Sequence, residues 1–302
     1  MLAIALISHS EAYYSTRRLL EAGHHLGYQM SRVDPVRVVL AANRPGDGLP
    51  AIYEDGLEVA VPDVCMPRVG AQLGPWSLAL LECWMIRGAR CPVSPFAIAR
   101  AADKVMTTLT LNARGVPTVP TLAVREPFHV DSALALLPAE SWVFKSRLGT
   151  GGAGVALVQG ASSARSVLGA LTANHETILV QPHVSTTPTR DLRVLVAGYE
   201  PLCAYWREAQ GDEFRSNVHR GGRTRRADDL PEGALELALA AARATGLPFA
   251  GVDLIEGPSG LAVLEVNASP GFQGAEEAVG RDLATPFLQR WVAWHPHEDG
   301  GV

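Results

Sequence analysis

Three oxygen-bearing side chains lie in two apolar segments near the end of the chain. Asp253 lies in FAGVDLIE, and Glu265 and Asn267 lie in LAVLEVN, with the turn GPSG joining the two segments. Gly, Pro and Ser at the join predict a β-hairpin. If Gly257 pairs with Leu261, Asp253 lies opposite Glu265, and Asn267 projects from the same face because side chains alternate along a strand.

Two facing carboxylates repel each other unless a positive group neutralises them. A divalent cation that prefers oxygen ligands would do so, and two carboxylates plus an amide oxygen are a common Mg²⁺ ligand set. A single Asp in an apolar strand is as often bound by a backbone donor or an arginine, so an ordinary structural pair is the alternative. The three oxygens together favour a metal site formed by Asp253, Glu265 and Asn267.

A glycine-rich turn is a second candidate site. The segment LGTGGAGV (148–155) lies between two predicted strands, just after Lys145 in WVFKSR. Glycine backbones can approach a ligand closely and direct N–H groups at an anion. The segment is neither a Walker A loop nor a Rossmann fingerprint, because no GK[ST] follows and the next element is a strand. A flexible turn is the commoner explanation, but the adjacent lysine favours phosphate binding, and Lys104 is the only other lysine in the chain.

Arginines and polar side chains form a third group. Arg193 and Arg207 lie in apolar strands, where a structural salt bridge is the usual explanation, and GDEFRSNVHRGG (211–222) is dense in hydrogen-bond donors. Together they could hold a triphosphate, an acyl phosphate and a carboxylate substrate. Asp191 could accept a ribose hydroxyl or orient an arginine, and His219 is a candidate substrate contact. Because the sequence has no nucleophile elbow and no activated cysteine, the pattern favours ATP-driven activation of a carboxylate and its capture by an amine.

The elements that must position these residues alternate between strands and helices. LAIALIS, a helix from Tyr14 to Leu26 and YQMSRVDP predict a parallel α/β unit at the N-terminus. AIARAADKVMTTLTLNARG predicts one continuous helix that ends at Gly115. Three units in series are the simplest organisation, with predicted bounds of 1–96, 97–184 and 185–302.

Composition restricts the class of protein. The chain has 302 residues, of which 47% are hydrophobic and 19% charged, enough for two or three units. A net charge of −5 gives no general basis for nucleic-acid binding. Four scattered cysteines without a CxxC pair predict a reducing compartment, here the cytoplasm. The short apolar run at the N-terminus predicts a buried strand and not a signal peptide, and no run approaches the length of a transmembrane helix, so no membrane association is expected.

The motifs together resemble the ATP-grasp superfamily, and specifically the RimK-type α-L-glutamate ligase family. The combination of FRSNVHRGG with LEVNASPG is the most specific part of a likeness that covers nearly the whole chain. The resemblance implies an α/β (α+β) fold of three lobes: an N-terminal parallel α/β pre-ATP-grasp domain, a central lid domain and a C-terminal mixed-sheet domain with the metal site. ATP is expected between the last two.

The resemblance also implies roles for individual residues. Those implied at the nucleotide are Lys104, Lys145, the loop glycines Gly149, Gly151, Gly152 and Gly154, the hinge Gln181, Pro182 and His183, and Asp191, Arg193, Arg215, Ser216 and Asn217. The implied ligands of two Mg²⁺ ions, or of Mn²⁺, are Asp253, Glu265 and Asn267. The residues implied at the substrate are His219, Arg220, Gly221 and Ser269. The implied catalytic residues are Arg207 and Arg215, and Arg207 would steady the acyl phosphate.

One position departs from the family pattern. Relatives usually carry Glu after the hinge glutamine, where this chain has Pro182, which lacks a backbone donor and a side-chain acceptor. The Pro182 carbonyl and the His183 N–H are expected to remain available to adenine.

The activity implied is an ATP-dependent carboxylate–amine ligase that adds glutamate to the C-terminal carboxylate of a protein, peptide or small molecule. A dimer or tetramer is also implied. One alternative is a tailoring ligase of a peptide natural product that uses another amino acid. A second is a non-catalytic ATP-binding scaffold on the same fold, which the retention of the metal-binding residues and Arg207 argues against.

Overall fold

The computed structural model describes residues 1–44, 46, 48–68, 74–149, 154–210 and 222–295. The strands are β1 (Ala3–Ile7), β2 (Gln29–Val33), β3 (Val38–Ala41), β4 (Ala51–Glu54), β5 (Leu57–Glu58), β6 (Val64–Pro67), β7 (Leu122–Val124), β8 (Ser141–Ser146), β9 (Val155–Gln159), β10 (Ile178–Pro182), β11 (Arg190–Ala197), β12 (Glu200–Glu208), β13 (Arg223–Arg226), β14 (Phe249–Gly257) and β15 (Gly260–Asn267). The helices are α1 (Tyr14–His25), α2 (Gly74–Ile86), α3 (Pro95–Ala102), α4 (Lys104–Ala113), α5 (Val130–Leu136), α6 (Ala161–Thr172), α7 (Ala234–Thr245), α8 (Gln273–Val279) and α9 (Ala284–Ala293). In the ranges described, no helix combines the length and the apolar character needed to cross a bilayer.

The N-terminal sheet is parallel, as predicted, with strand order β2-β1-β6. Its central strand β1 is almost entirely apolar and nearly all buried, as expected for a parallel strand covered on both faces. A small antiparallel sheet, β3-β4-β5, follows β2 in sequence. The carboxyl ends of β1 and β6 lie side by side, since Ile7 pairs with Pro67.

The single helix predicted from residue 97 is wrong, because the chain forms α3 and α4 with a break at Asp103. Asp103 is extended (φ −98°, ψ 106°), and its carboxylate accepts hydrogen bonds from the N–H groups of Val105 (3.0 Å) and Met106 (3.2 Å). A short polar side chain that caps the next helix competes with helix continuation. The break makes Lys104 the first residue of α4, and its N–H donates to Arg147 O (3.1 Å) on the segment after β8.

The central sheet is antiparallel, with order β7-β10-β8-β9. Helices α5 and α6 pack against it around a separate apolar cluster that includes Trp142, Phe144 and Leu168. The C-terminal sheet is also antiparallel, with order β13-β12-β11-β14-β15. Strand β13 was not predicted, since RTRR has no apolar alternation. The three-unit division with boundaries at 96/97 and 184/185 stays a prediction.

The β14–β15 hairpin places Asp253 opposite Glu265, as predicted, but by a different register. Gly257 pairs with Gly260 and not with Leu261, and a bulge between Asp253 and Leu254 compensates by one residue. The bulge leaves Leu264 as the extra residue of β15, a common way for a strand to re-aim side chains next to a site.

The N-terminal and C-terminal sheets share one hydrophobic core, in which Leu6 and Leu19 belong to the same cluster as Phe249 and Trp291. A buried carboxylate ties the two parts together: Glu276 accepts hydrogen bonds from the Tyr14 hydroxyl (2.5 Å), from Arg18 Nε (3.1 Å) and from the N–H of Leu283 (2.8 Å). Helix α1 is thereby held against the C-terminal part.

Candidate active site

A row of charged side chains crosses one face of the C-terminal sheet. Asp191 of β11 pairs with Arg207 of β12, Arg193 of β11 pairs with Asp253 of β14, and Asp253 pairs with Glu265 of β15. Directly opposed residues of neighbouring strands share a face. The sheet therefore brings together five of the residues singled out from the sequence.

Asp253 is the centre of the row. Its Oδ1 accepts a hydrogen bond from Arg193 Nε (2.5 Å), and its Oδ2 accepts from Arg193 Nη2 (2.6 Å) and from Arg207 Nη2 (2.8 Å). Burial by itself would raise the pKa of Asp253, but the two guanidinium groups outweigh burial and hold that pKa below its ordinary value. The charge of Asp253 is therefore neutralised by Arg193 and Arg207. Pairing with a carboxylate is the usual structural role of an arginine in an apolar strand.

Arg207 is bound by two carboxylates at once. Its Nε donates to Asp191 Oδ1 (2.7 Å), and the whole side chain is buried. Burial opposes its charge, but Asp191 and Asp253 together raise its pKa above the ordinary value. With Nε and Nη2 engaged, this guanidinium is held rigidly in the sheet.

A pocket lies between the central and C-terminal sheets. Helices α3 and α4, strands β8 and β10 and strand β15 form its walls, and it is lined by Lys104, Lys145, Gln181 and Glu265. Lys104 Nζ donates to Gly149 O (2.6 Å) and lies 3.5 Å from Glu265 Oε1. Both lysines of the chain, predicted to act on one anion, therefore line one pocket.

Lys145 titrates abnormally because of its surroundings. Burial lowers its pKa, and Glu265 opposes that shift. An ammonium group that has lost water and faces an incompletely matched charge is suited to receive an anion such as phosphate.

The described ends of the glycine loop pack closely against Ser146 and Lys104. Gly154 has φ +70°, and a Cβ placed there would lie 2.5 Å from Ser146 Oγ. Gly149 supplies the carbonyl that holds Lys104. The other predicted loop glycines, Gly151 and Gly152, lie outside the described residues, as do Arg215, Ser216, Asn217, His219, Arg220 and Gly221.

The hinge at the end of β10 differs from the prediction in one backbone group, the N–H of His183. The His183 N–H, expected to be available to adenine, donates to Ser141 O (3.0 Å) and extends the β10–β8 ladder by one residue. Because successive residues of a strand direct their backbone groups to opposite edges, the Pro182 carbonyl points away from β8. Gln181 is buried, and its Nε2 donates to Thr121 Oγ1 (2.8 Å). Burial lowers the pKa of His183.

The donor set on β14 and β15 fits a hard cation. Over the part of the chain that the structure describes, no group of three or more His, Cys, Asp or Glu side chains could hold a metal, so the candidate set consists of two carboxylates and one amide. Asp253 Oδ1 accepts one hydrogen bond and retains a lone pair. Asn267 donates its Nδ2 to Gly251 O (3.4 Å), which leaves its oxygen as the group for a cation, and Glu265 is 29% exposed.

At the far end of β15 the site meets the N-terminal sheet. Ser269 Oγ donates to Pro67 O (3.2 Å), and Arg68 Nη2 donates to Pro270 O (2.7 Å). Gly251 allows close packing here, because a Cβ on it would lie 3.0 Å from Pro270 Cβ. Arg68 was not among the predicted site residues, although an arginine directly after an apolar parallel strand was a usable signal.

Comparison with known proteins identifies the class. Residues 101–291 match the RimK-like ATP-grasp domain, and residues 2–98 match the RimK PreATP-grasp domain. The chain is 36% identical over 286 residues to a "Probable alpha-L-glutamate ligase" of Xanthomonas oryzae pv. oryzae, which covers 95% of this chain and 96% of that protein.

Two solved structures share the architecture. The ATP-grasp ligase PsnB, solved with a variant of its minimal precursor, Mg and ADP, has a TM-score of 0.71 at 21% identity, covering 97% of this chain and 98% of that one. D-alanyl-alanine synthetase A of Vibrio cholerae has a TM-score of 0.70 at 18% identity, with 97% and 98% covered. At such identities the likeness concerns the fold.

The fold class is therefore that of the ATP-grasp ligases, which confirms the predicted α/β architecture. The chain belongs to the RimK-like ATP-grasp family and is a ligase of that class.

Proposed function

We propose that the chain is an ATP-dependent ligase that joins glutamate, through its amino group, to a carboxylate of a peptide, a protein C-terminus or a small molecule. The observation that carries the proposal is the pocket in which Lys104, Lys145 and Glu265 meet, beside the charged row on the C-terminal sheet. Glutamate is favoured by the 36% identical relative, whose name gives that amino acid.

The reaction would proceed in two steps. An oxygen of the acceptor carboxylate attacks the γ-phosphorus of ATP, the bond to the β-phosphate breaks, and ADP leaves. The amine then attacks the acyl carbon, inorganic phosphate leaves with the carboxylate oxygen, and the amine loses a proton to solvent. No covalent protein nucleophile is needed, in agreement with the absence of a nucleophile motif in the sequence.

The residues of the pocket would mainly position the reactants and neutralise charge. Lys104 and Lys145 would bind phosphate oxygens, with the segment 149–154 over them. The Pro182 carbonyl would accept from adenine. Arg193 and Arg207 would keep Asp253 fixed in the row, and Asp191 would hold Arg207. Arg207 would also steady the developing acyl phosphate through its remaining Nη1.

Asp253, Glu265 and Asn267 would hold Mg²⁺, or Mn²⁺, as two ions. The metal would supply charge neutralisation on the phosphates. Support for this ligand set is the hard oxygen chemistry of the three side chains on paired strands, together with Mg and ADP in the similarly folded PsnB complex.

The direct test is ADP release by the full chain with ATP, Mg²⁺, L-glutamate and a panel of peptides and small molecules that end in a carboxylate. Product mass should rise by one or more glutamyl units. Lack of ADP release with every acceptor, despite nucleotide binding, would refute the proposal. Addition of another amino acid to a peptide would favour a tailoring ligase instead.

A matched pair of variants separates catalysis from folding. Glu265→Gln removes one charge from the pocket and is expected to lower turnover by about 100-fold or more. Glu256→Gln makes the same change at an exposed position of the same hairpin and is expected to leave turnover unchanged. Full turnover in Glu265→Gln would argue for a different metal site.

A further inference from the structure

Arg68 lies at the point of the N-terminal sheet where ligands of open α/β sheets usually bind. The chain runs from β1 to β2 on one side and later to β6 on the other, so the strand order reverses between β1 and β6. The crevice outside the carboxyl ends of strands at such a reversal is the general ligand position. Arg68 directly follows β6, and its N–H donates to Ile7 O (2.8 Å) at the end of β1.

The Arg68 guanidinium has no carboxylate partner among the described residues. Its one hydrogen bond there is the donation from Nη2 to Pro270 O, and its carbon lies 5.5 Å from the centre of the Phe272 ring. Its Nε is buried and makes no hydrogen bond. The other arginines around the site, Arg193 and Arg207, are both paired with aspartates. A buried cation that is left with a neutral carbonyl is costly unless an anion completes it.

The contacts of Arg68 lead directly to the charged row. The proline that accepts its hydrogen bond packs against Gly251, and a Cβ at Gly251 would also lie 3.7 Å from Arg193 Nε. Arg193 is in turn bound to Asp253. Arg68 as a whole residue is half-buried, with its Nε in the buried part. It therefore borders the proposed reaction site from the side of the N-terminal sheet.

We propose that Arg68 binds a carboxylate group of a substrate and so fixes that substrate against the C-terminal sheet. This inference rests on the proposed ligase function for the nature of the substrates. The five N–H groups of a guanidinium match a carboxylate, which supplies both the acceptor atoms and the missing counter-charge. The carboxylate belongs either to the incoming amino acid or to the acceptor, and the experiment distinguishes the two.

The test compares Arg68→Gln and Arg68→Lys with a matched control, Arg90→Gln. Arg90 also belongs to the N-terminal part and donates its guanidinium hydrogens to backbone carbonyls of the C-terminal segment, at Val292 and Trp294. Titration calorimetry would measure binding of L-glutamate to the full chain saturated with Mg²⁺ and a non-hydrolysable ATP analogue. The same titration would use the α-amide of glutamate and the panel of peptides and small molecules that end in a carboxylate.

Arg68→Gln is expected to weaken binding of the carboxylate ligand by about 10- to 150-fold, the effect of losing a hydrogen bond to a charged group. Arg68→Lys should recover part of the affinity, because it retains the charge but not the planar fork. Nucleotide affinity should be unchanged in both variants, and Arg90→Gln should bind like the wild type. Weaker binding of glutamate but not of its α-amide identifies the α-carboxylate of the amino acid, and weaker binding of both identifies its γ-carboxylate. Weaker binding of the acceptor alone identifies the acceptor.

Three results would overturn the inference. Arg68→Gln could bind glutamate and acceptor as tightly as the wild type does, or it could lose nucleotide affinity to the same extent, which would indicate a structural cross-link. A wild type that binds glutamate but releases no ADP with any acceptor would refute the ligase function. The binding affinities of the Arg68 variants would then decide the Arg68 assignment independently. A wild type that binds neither carboxylate would refute the assignment of Arg68.

Discussion

Replacement of Asp253 by asparagine should cost far more stability than the same replacement at Asp131, whose ion pair with Arg165 is exposed. Arg193 Nε lies 2.5 Å from Asp253 Oδ1, and Arg165 Nε lies 2.5 Å from Asp131 Oδ1. The side chains of the first pair are 14% and 3% exposed, and those of the second are 57% and 72% exposed. The first pair is buried and its carboxylate also binds Arg193 Nη2 and Arg207 Nη2, whereas the second pair is exposed and has the single contact among the described residues.

The expected magnitudes follow from that difference. Asp253→Asn leaves the buried Arg193 without a charged partner and weakens the hold on Arg207, a loss of about 3–5 kcal/mol in the free energy of unfolding. If the 302 residues unfold together, this corresponds to a fall in Tm of roughly 5–8 °C. Asp131→Asn should cost less than about 1 kcal/mol, because water screens the exposed pair.

Urea denaturation followed by circular dichroism would measure both variants beside the wild type. Because the folded-state pKa of Asp253 lies below its ordinary value, its contribution is complete above the unfolded carboxyl pKa of about 3.9 and disappears as pH falls through the lower, folded value. The gap between wild type and Asp253→Asn should thus be full at pH 7 and shrink in acid. Equal losses in Asp253→Asn and Asp131→Asn would refute the reasoning.

Two further predictions concern the pocket and its border. Burial lowers the pKa of Lys145, and a bound triphosphate should raise it again, so nucleotide binding at alkaline pH below about 10.4 should take up protons. Calorimetry in two buffers of different ionisation enthalpy measures the uptake, which Lys145→Arg should abolish; the same uptake in that variant would contradict the assignment. Gly251→Ala should lose about 1–3 kcal/mol in urea, because its Cβ would crowd Pro270. Gly169→Ala, in open space on α6, should gain about 0.5–1 kcal/mol, and equal effects would contradict the packing argument.

The sequence patterns predicted local features well and long-range pairing poorly. The alternation and the GPSG turn were sufficient to place Asp253 opposite Glu265, although the predicted turn register was one residue off and the bulge at Leu264 restored the pairing. The alternating pattern gives no sign of the extra residue, because a bulge is defined by how the two strands pair.

The break at Asp103 shows a different difficulty. Helical periodicity continues through AADKVM, and only the local cap of Asp103 and its bridge to Leu148, 45 residues later, end α3. The arginine pairs of Asp253 likewise join strands 60 and 46 residues apart, at Arg193 and Arg207. Sequence alone could indicate that these charges needed partners but could not indicate which ones.

The hinge shows that a correct element can still mislead about a single backbone group. Strand β10 was predicted, yet the use of the His183 N–H by Ser141 depends on how far the neighbouring strand continues. Such edge effects depend on the pairing of the whole sheet, which residue types do not specify.

The most direct test of the central claim, phosphorylation of a substrate carboxylate in the pocket of Lys104 and Lys145, is isotope transfer. An acceptor labelled with ¹⁸O in the reacting carboxylate would be converted with ATP, Mg²⁺ and glutamate, and the released phosphate would be analysed by mass spectrometry. One ¹⁸O atom in each phosphate formed, together with ADP, is the predicted result. Unlabelled phosphate, or the formation of AMP and pyrophosphate, would contradict the account.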